Sequence, residues 1–179
     1  MYVRRKQRPL SEIRLHTVLV VLAAVGLTAC GGAASTVTAP GGAGTISTAS
    51  TGEFSWAEEV FNLTNEIRIQ EGVPPLIWDE RAAMAAYGHS WDMDVRGYFD
   101  HISPDGASVA DRLEFEGIEF QYAGENIARG QASPAEVVMA WMDSPAHREN
   151  ILSPFWTHVG VAVHTGTDRG PWWTQEFFR

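Results

Sequence analysis

The chain has 179 residues, 13 basic against 22 acidic, a formal net charge of −9, 45% hydrophobic residues, seven tryptophans and one cysteine. That length and apolar content suffice for one domain with a real core, and the acidic balance excludes nucleic acid as a partner, because binding a polyanion needs clustered cations. A single cysteine excludes an intrachain disulfide, so the core alone must hold the domain.

Residues 1–29 have the three-part form of a secretory signal. A basic stretch holds Arg4, Arg5, Lys6, Arg8 and Arg14, and the apolar run Val18 to Leu27 that follows is too short to span a membrane. The run ends in Leu27-Thr28-Ala29-Cys30, which resembles the lipobox of bacterial lipoproteins. That resemblance implies cleavage before Cys30, a lipid on Cys30, and a membrane as partner of the mature N-terminus. Cleavage would leave eight basic against twenty-one acidic residues, a net charge near −13. Residues 30–53 are mostly Gly, Ala, Ser and Thr, too poor in apolar surface to repay ordering, and read as a flexible tether of about 70 Å when stretched at about 3.3 Å per residue.

The folded domain is expected over residues 54–179. Ser55-Trp56-Ala57-Glu58 has the capping-box pattern, and Trp56, Val60, Leu63 and Ile67 follow at helical spacing, predicting a first helix to about Glu71 that Gly72 and Pro74-Pro75 end. Asp79 caps a second helix running through Ala82, Ala83, Ala86 and His89 to about Arg96; its alanine face permits close packing, and Gly97 stops it. Ser108 with Asp111 opens a short third helix, Ser133-Pro134 a fourth, and Ser144-Pro145 repeats the start signal. Val159 to Val163 and Trp172 to Phe178 are rich in strand formers, with Gly166, Asp168 and Gly170 as a hairpin loop between them, and a third strand includes Phe120 and Tyr122. Several helices around a small, mostly antiparallel sheet make an α+β fold.

Four segments carry polar groups that a core does not need: Phe99-Asp100-His101, Gly124-Glu125-Asn126-Ile127, Trp141 through Asn150, and Trp173-Thr174-Gln175. With Asn65-x-x-Arg68, Leu76-x-Trp78, Ala86-x-x-His89 and Val159-Gly160-Val161, their order over 54–179 resembles the CAP superfamily in its bacterial form. This is the superfamily of the cysteine-rich secretory and pathogenesis-related 1 proteins. The resemblance implies an α-β-α sandwich with a cleft that, in eukaryotic members, two histidines and two acidic residues line and can fill with a divalent cation. Carried over by position, one histidine falls on His101 and one glutamate on Glu125. The second glutamate meets Ser144 and the second histidine meets Trp172, so the tetrad is incomplete.

His147, three residues after Ser144, lies close to one turn along the same face and could enter the vacated space. If Ser144 caps the helix that Pro145 opens, the helix dipole disfavours protonation of His147, as suits a metal ligand or a base. His101, Glu125 and His147 are therefore the candidate catalytic or metal-binding set, zinc being the expected ion, and Glu125 could act as a base without metal. Ser144, Asn126, Thr174 and Gln175 are further cleft candidates. Asn126 and Asn150 read as loop and helix-end hydrogen-bonders, and only one of Thr174 and Gln175 should face the cleft. Arg68 and Arg148 could pair with acidic groups or bind an anion, structural pairing being the favoured reading, while His89, His158 and His164 have no partner in any motif.

Three functions remain open: an envelope-tethered module that binds a lipid, sterol or glycan; a metal-dependent hydrolase at the same residues; and a structural or interaction protein of the envelope. No serine-histidine-acid signature or nucleotide-binding loop is present to support other enzyme classes.

Overall fold

The computed structural model of the protein describes residues 2–4, 51–166 and 169–179. Cys30 and the greater part of the expected signal and tether lie outside the described residues. Among the described residues the elements in chain order are β1 (Tyr2–Arg4), α1 (Thr51–Gln70), β2 (Ile77–Trp78), α2 (Glu80–Arg96), α3 (Val109–Phe115), β3 (Tyr122–Arg129), α4 (Pro134–Asp143), α5 (Pro145–Leu152), β4 (His158–His164) and β5 (Trp172–Phe178). No helix among them is long and apolar enough to cross a membrane.

The strand order is β1-β3-β5-β4-β2, antiparallel throughout except that β2 runs parallel to β4. Successive strand residues alternate between two helical layers. Val159, Val161, Val163, Trp173, Phe177 and Ala128 pack with Val60 of α1, Val137, Val138 and Trp141 of α4, and Ile151 of α5. On the opposite face Ala123 and Phe178 pack with Ala82 and Ala85 of α2 and with Val109 and Leu113 of α3, while Ile127 and Trp172 meet Met93. The result is an α-β-α sandwich, the α+β arrangement expected from the sequence.

Local signals explain most boundaries. Asp79 accepts from the Arg81 and Ala82 amides, and Gly97 ends α2 at φ 71°, a left-handed conformation that favours glycine. Ser108 and Asp111 form the reciprocal capping box of α3, and Ser133 caps α4. The alanine face of α2 lies so close to β4 that a Cβ added at Gly160 would stand 2.1 Å from the Ala82 and Ala83 backbone. Two expectations shift. The first helix begins at Thr51, so Ser55 lies inside it rather than capping it. The third strand starts at Tyr122 and takes in the whole Gly-Glu-Asn motif, which makes Asn126 a strand residue rather than a loop one.

Candidate functional site at the edge of the sheet

Antiparallel pairing puts Glu125 of β3 directly opposite Glu176 of β5. Two carboxylates so placed repel, and both are fully buried. Arg112 of α3 resolves the conflict. Its guanidinium donates to Glu125 Oε2 and, through Nε at 2.9 Å, to Glu176 Oε1. The other oxygen of Glu125 accepts from His101 Nδ1 at 2.5 Å, on the bend after α2, so Nε2 is the ring's remaining nitrogen. His89, on the inner face of α2, brings Nε2 to 3.7 Å from Glu125 Oε2 without a hydrogen bond.

The charges follow from these neighbours. Burial alone would raise the Glu125 carboxyl, but the His101 hydrogen bond and the Arg112 and histidine charges hold it below the usual range. Burial pushes Glu176 up to about 8, with the Arg112 guanidinium opposing and the Glu125 charge adding to the rise. Burial works against the Arg112 charge too, yet the two glutamates raise its affinity for the proton. His89 is lowered to about 4 by burial, despite Glu125 beside it. At neutral pH, then, Glu125 is ionised, Glu176 holds its proton, Arg112 is charged and His89 is neutral.

The opposite face of the same strands carries a second polar network. Asn126 Nδ2 donates to the His147 carbonyl and to Gln175 Oε1, both at 3.2 Å, and Asn150 Nδ2 donates to Asn126 Oδ1 at 2.9 Å. Gln175 Nε2 reaches Thr64 of α1 at 3.0 Å. Thr174, on the Glu125 side, instead meets Ser90 of α2 at 2.8 Å. Only one of the pair could share the Glu125 face, and it is Thr174. Beyond the stretch paired with β1, β3 is a sheet edge, and the two helices cover its carbonyls: Asn150 Nδ2 donates to the Glu125 carbonyl at 3.1 Å and Trp141 Nε1 to that of Ile127 at 3.2 Å. At this edge the His101 bend and the start of α5 converge. Burial lowers His147 below the ordinary histidine value, and the His101 charge adds to the effect.

The family model for the cysteine-rich secretory protein (CAP) family matches residues 61–177. The chain belongs to that family. It is 43% identical over 133 residues to the protein YkwD of Bacillus subtilis and 40% identical over 122 residues to the membrane protein YlbC of the same organism. Those alignments take in 74% and 68% of this chain but only 51% and 34% of the relatives, so the chain spans about half the length of one and a third of the other. Among solved structures, an extracellular protein of Bacillus anthracis containing an SCP domain superposes with a TM-score of 0.66 at 38% identity, over 71% of this chain and 41% of that one. An outer surface protein of Borrelia burgdorferi shares the fold, with a TM-score of 0.64 at 20% identity over 68% and 90% of the two chains.

In this CAP domain, then, His101 and Glu125 are in direct contact and His147 is near enough to sense the His101 charge. Ser144 stands between α4 and α5 with Pro145 as the first helical residue, but its side chain does not cap α5. Among the described residues no three His, Cys, Asp or Glu side chains are grouped to hold an ion. Both Glu125 oxygens are engaged, one by a guanidinium that would repel a cation.

Arg112, Glu176 and His89 escaped the sequence reading. Glu176 is two residues beyond Thr174 and so shares its face, a signal available from the period of a strand. Arg112 sits in a helix recognised only by its cap. His89 belongs to the Glu125 cluster rather than standing apart from it, and His164 also has partners: its Nε2 lies 3.1 Å from Asp94 Oδ2. His158 stacks on Phe178 at 4.9 Å. Arg68 is fully buried and donates to the carbonyls of Pro74, Ile151 and Ser153 rather than pairing with an acid, whereas Arg148 does pair, with Glu71 at 3.1 Å.

Proposed function

We propose that this chain is an exported, lipid-anchored CAP module of the cell envelope that binds a lipid, sterol or glycan ligand at the edge of β3, between His101 and His147. One observation carries the reading. Glu125 is spent on His101 and Arg112, which leaves it neither a free base nor a free ligand, and the groups left to meet a ligand are imidazole nitrogens. Imidazole nitrogens, which can donate or accept, suit recognition of hydroxyl and ester oxygens. The extracellular and membrane descriptions of two relatives accord with export, and the lipobox pattern at Cys30 accords with an anchor.

Calorimetric titration of the protein with envelope lipids and cell-wall glycans tests the reading. His147→Ala should weaken the ligand that binds by about tenfold or more while leaving the melting temperature within about 2 °C, as expected for a half-buried contact residue. Unchanged affinity in both His147→Ala and His101→Ala would reject the cleft. For the anchor, Cys30→Ser should release the protein from membranes into the soluble fraction; continued sedimentation with membranes would rule the lipid out.

The rival is a divalent-metal-dependent hydrolase at the same residues. The Glu125–His101 pair supports it, because a carboxylate on Nδ1 is the usual partner behind a metal-binding imidazole, which would place Glu125 behind the metal rather than on it. Stoichiometric zinc uptake that disappears in both His101→Ala and His147→Ala would favour the rival; no uptake by the wild-type protein removes it.

A further inference from the structure

In the helical layer of α2 and α3, a groove of about 630 Å³ lies between these two helices and is bordered by Ser103, Asp105 and Ala107 of the loop that joins them. Its lips are apolar and open to solvent: Met84 and Trp91 on α2 are 56% and 38% exposed, and Phe115 on α3 is 88% exposed. Exposed large side chains gathered along one groove, rather than scattered singly, are the mark of a surface that meets something. Met84 to Arg96 covers thirteen residues of α2, about 18 Å from first to last at 1.5 Å per residue. That length suits about three turns of a helix or a short extended segment.

The charge of the groove says what kind of occupant it takes. Asp92, Asp105, Asp111 and Glu116 line it against two guanidiniums. Arg112 is turned inward to Glu125 and Glu176, and Arg96 is shared between Asp92 and Asp105. The rim is therefore acidic, in a chain already strongly acidic overall. An anionic bilayer would be repelled by such a rim, and a neutral glycan would leave its charge unused.

The geometry points to the α2–α3 groove as a docking site for a basic amphipathic segment of a partner polypeptide, with an aromatic or aliphatic anchor seated between Trp91 and Phe115 and lysine or arginine flanks facing Asp105 and Glu116. It is a protein-interaction surface whose floor, His89 and Arg112, adjoins the Glu125 cluster, and it combines the apolar anchors of helix-in-groove recognition with an electrostatic match.

The test uses the full chain and a synthetic leucine-lysine amphipathic peptide of about fourteen residues, roughly four helical turns, with a leucine-glutamate counterpart as control. Calorimetry should give a micromolar dissociation constant for the lysine peptide and binding at least about tenfold weaker for the glutamate peptide. Trp91→Ala and Phe115→Ser should each weaken the lysine peptide by about fivefold or more, and Asp105→Asn with Glu116→Gln should do so with a shallower salt dependence. Glu58→Gln with Glu59→Gln on α1 measures unspecific attraction to an acidic surface and should leave the affinity unchanged. Equal binding of the two peptides, no binding, or an equal loss in the α1 variant overturns the proposal. Chitooligosaccharide or phosphatidylglycerol vesicles that bind through Trp91 and Phe115 where the lysine peptide does not would also overturn it, by assigning the groove to a sugar or a membrane.

Discussion

Two glutamates face each other across β3 and β5, and a buried pair of that kind can persist only if a cation bridges it or one member keeps its proton. This molecule does both, through Arg112 and through Glu176, whose carboxyl burial pushes up to about 8 from an ordinary 4.5. The raised value fixes the sign of a pH effect. Glu176 contributes stability in full below about pH 4.5, where the unfolded carboxyl is protonated too, and that contribution is lost as pH rises through about 8. Glu125 acts oppositely, since its carboxylate is held below the usual range and its contribution fades on acidification. Glu176→Gln should therefore flatten the decline in melting temperature between about pH 5 and pH 9 and raise stability at the alkaline end by an amount on the order of a few kcal/mol. Thermal melts across that range decide it; a variant as pH-sensitive as the wild type would show that Glu176 ionises without penalty. His101 and Glu125 were legible in the sequence because each stands in a motif with a fixed spacing. Arg112 was not, because its partners are 13 and 64 residues away along the chain, and only the β3–β5 register brings them to it.

Among the elements, β3 shows how motif residues can serve the backbone. Its outer edge is paired with β1 only from Tyr122 to Gly124, so the carbonyls of Glu125 and Ile127 need other donors. Asn150 and Trp141 supply them from α5 and α4, and the same helices thereby fix the height of the cleft wall. Trp141→Phe removes the donor together with part of the buried ring. It should cost about 1–3 kcal/mol for a buried carbonyl left unpaired, with a cavity term added to that. Denaturant unfolding should show a lower midpoint with an unchanged slope; an unchanged midpoint would mean that water or a neighbour pairs Ile127 instead. The helices were readable from their caps, because Asp79, Ser108 and Ser133 satisfy amides within three residues of themselves. Strand β2 was not readable: two residues, Ile77–Trp78, carry no period, and their pairing with β4 is made 81 residues away.

At the scale of the whole molecule, the sandwich must be tied where its layers meet, and a buried cluster does so at the end remote from the cleft residues of β3. Glu53, in the first turn of α1, accepts from the Thr165 amide at 2.7 Å and from its hydroxyl at 2.9 Å, and lies 3.9 Å from His164 Nδ1. His164 at the end of β4 reaches Asp94 near the end of α2, and Arg169 donates to the Asp94 carbonyl. One connected group of side chains thus joins a helix from each layer to the loop between β4 and β5. Its members come from four separate stretches of chain, none of them a motif, which is why His164 looked isolated in the sequence. In the mature chain expected from cleavage before Cys30, which would lack β1, Glu53 is where the tether meets the fold, so any pull through an anchor at Cys30 would arrive first at this tie. Glu53→Gln keeps the shape and one accepting oxygen but removes the charge that strengthens two hydrogen bonds, a loss of about 1–2 kcal/mol. The effect should be local. Amide exchange should quicken over the first turn of α1 and at Thr165, while α4 and β3 keep their protection. Protection lost evenly across the domain would mean instead that the cluster supports global stability rather than the point where the chain enters the fold.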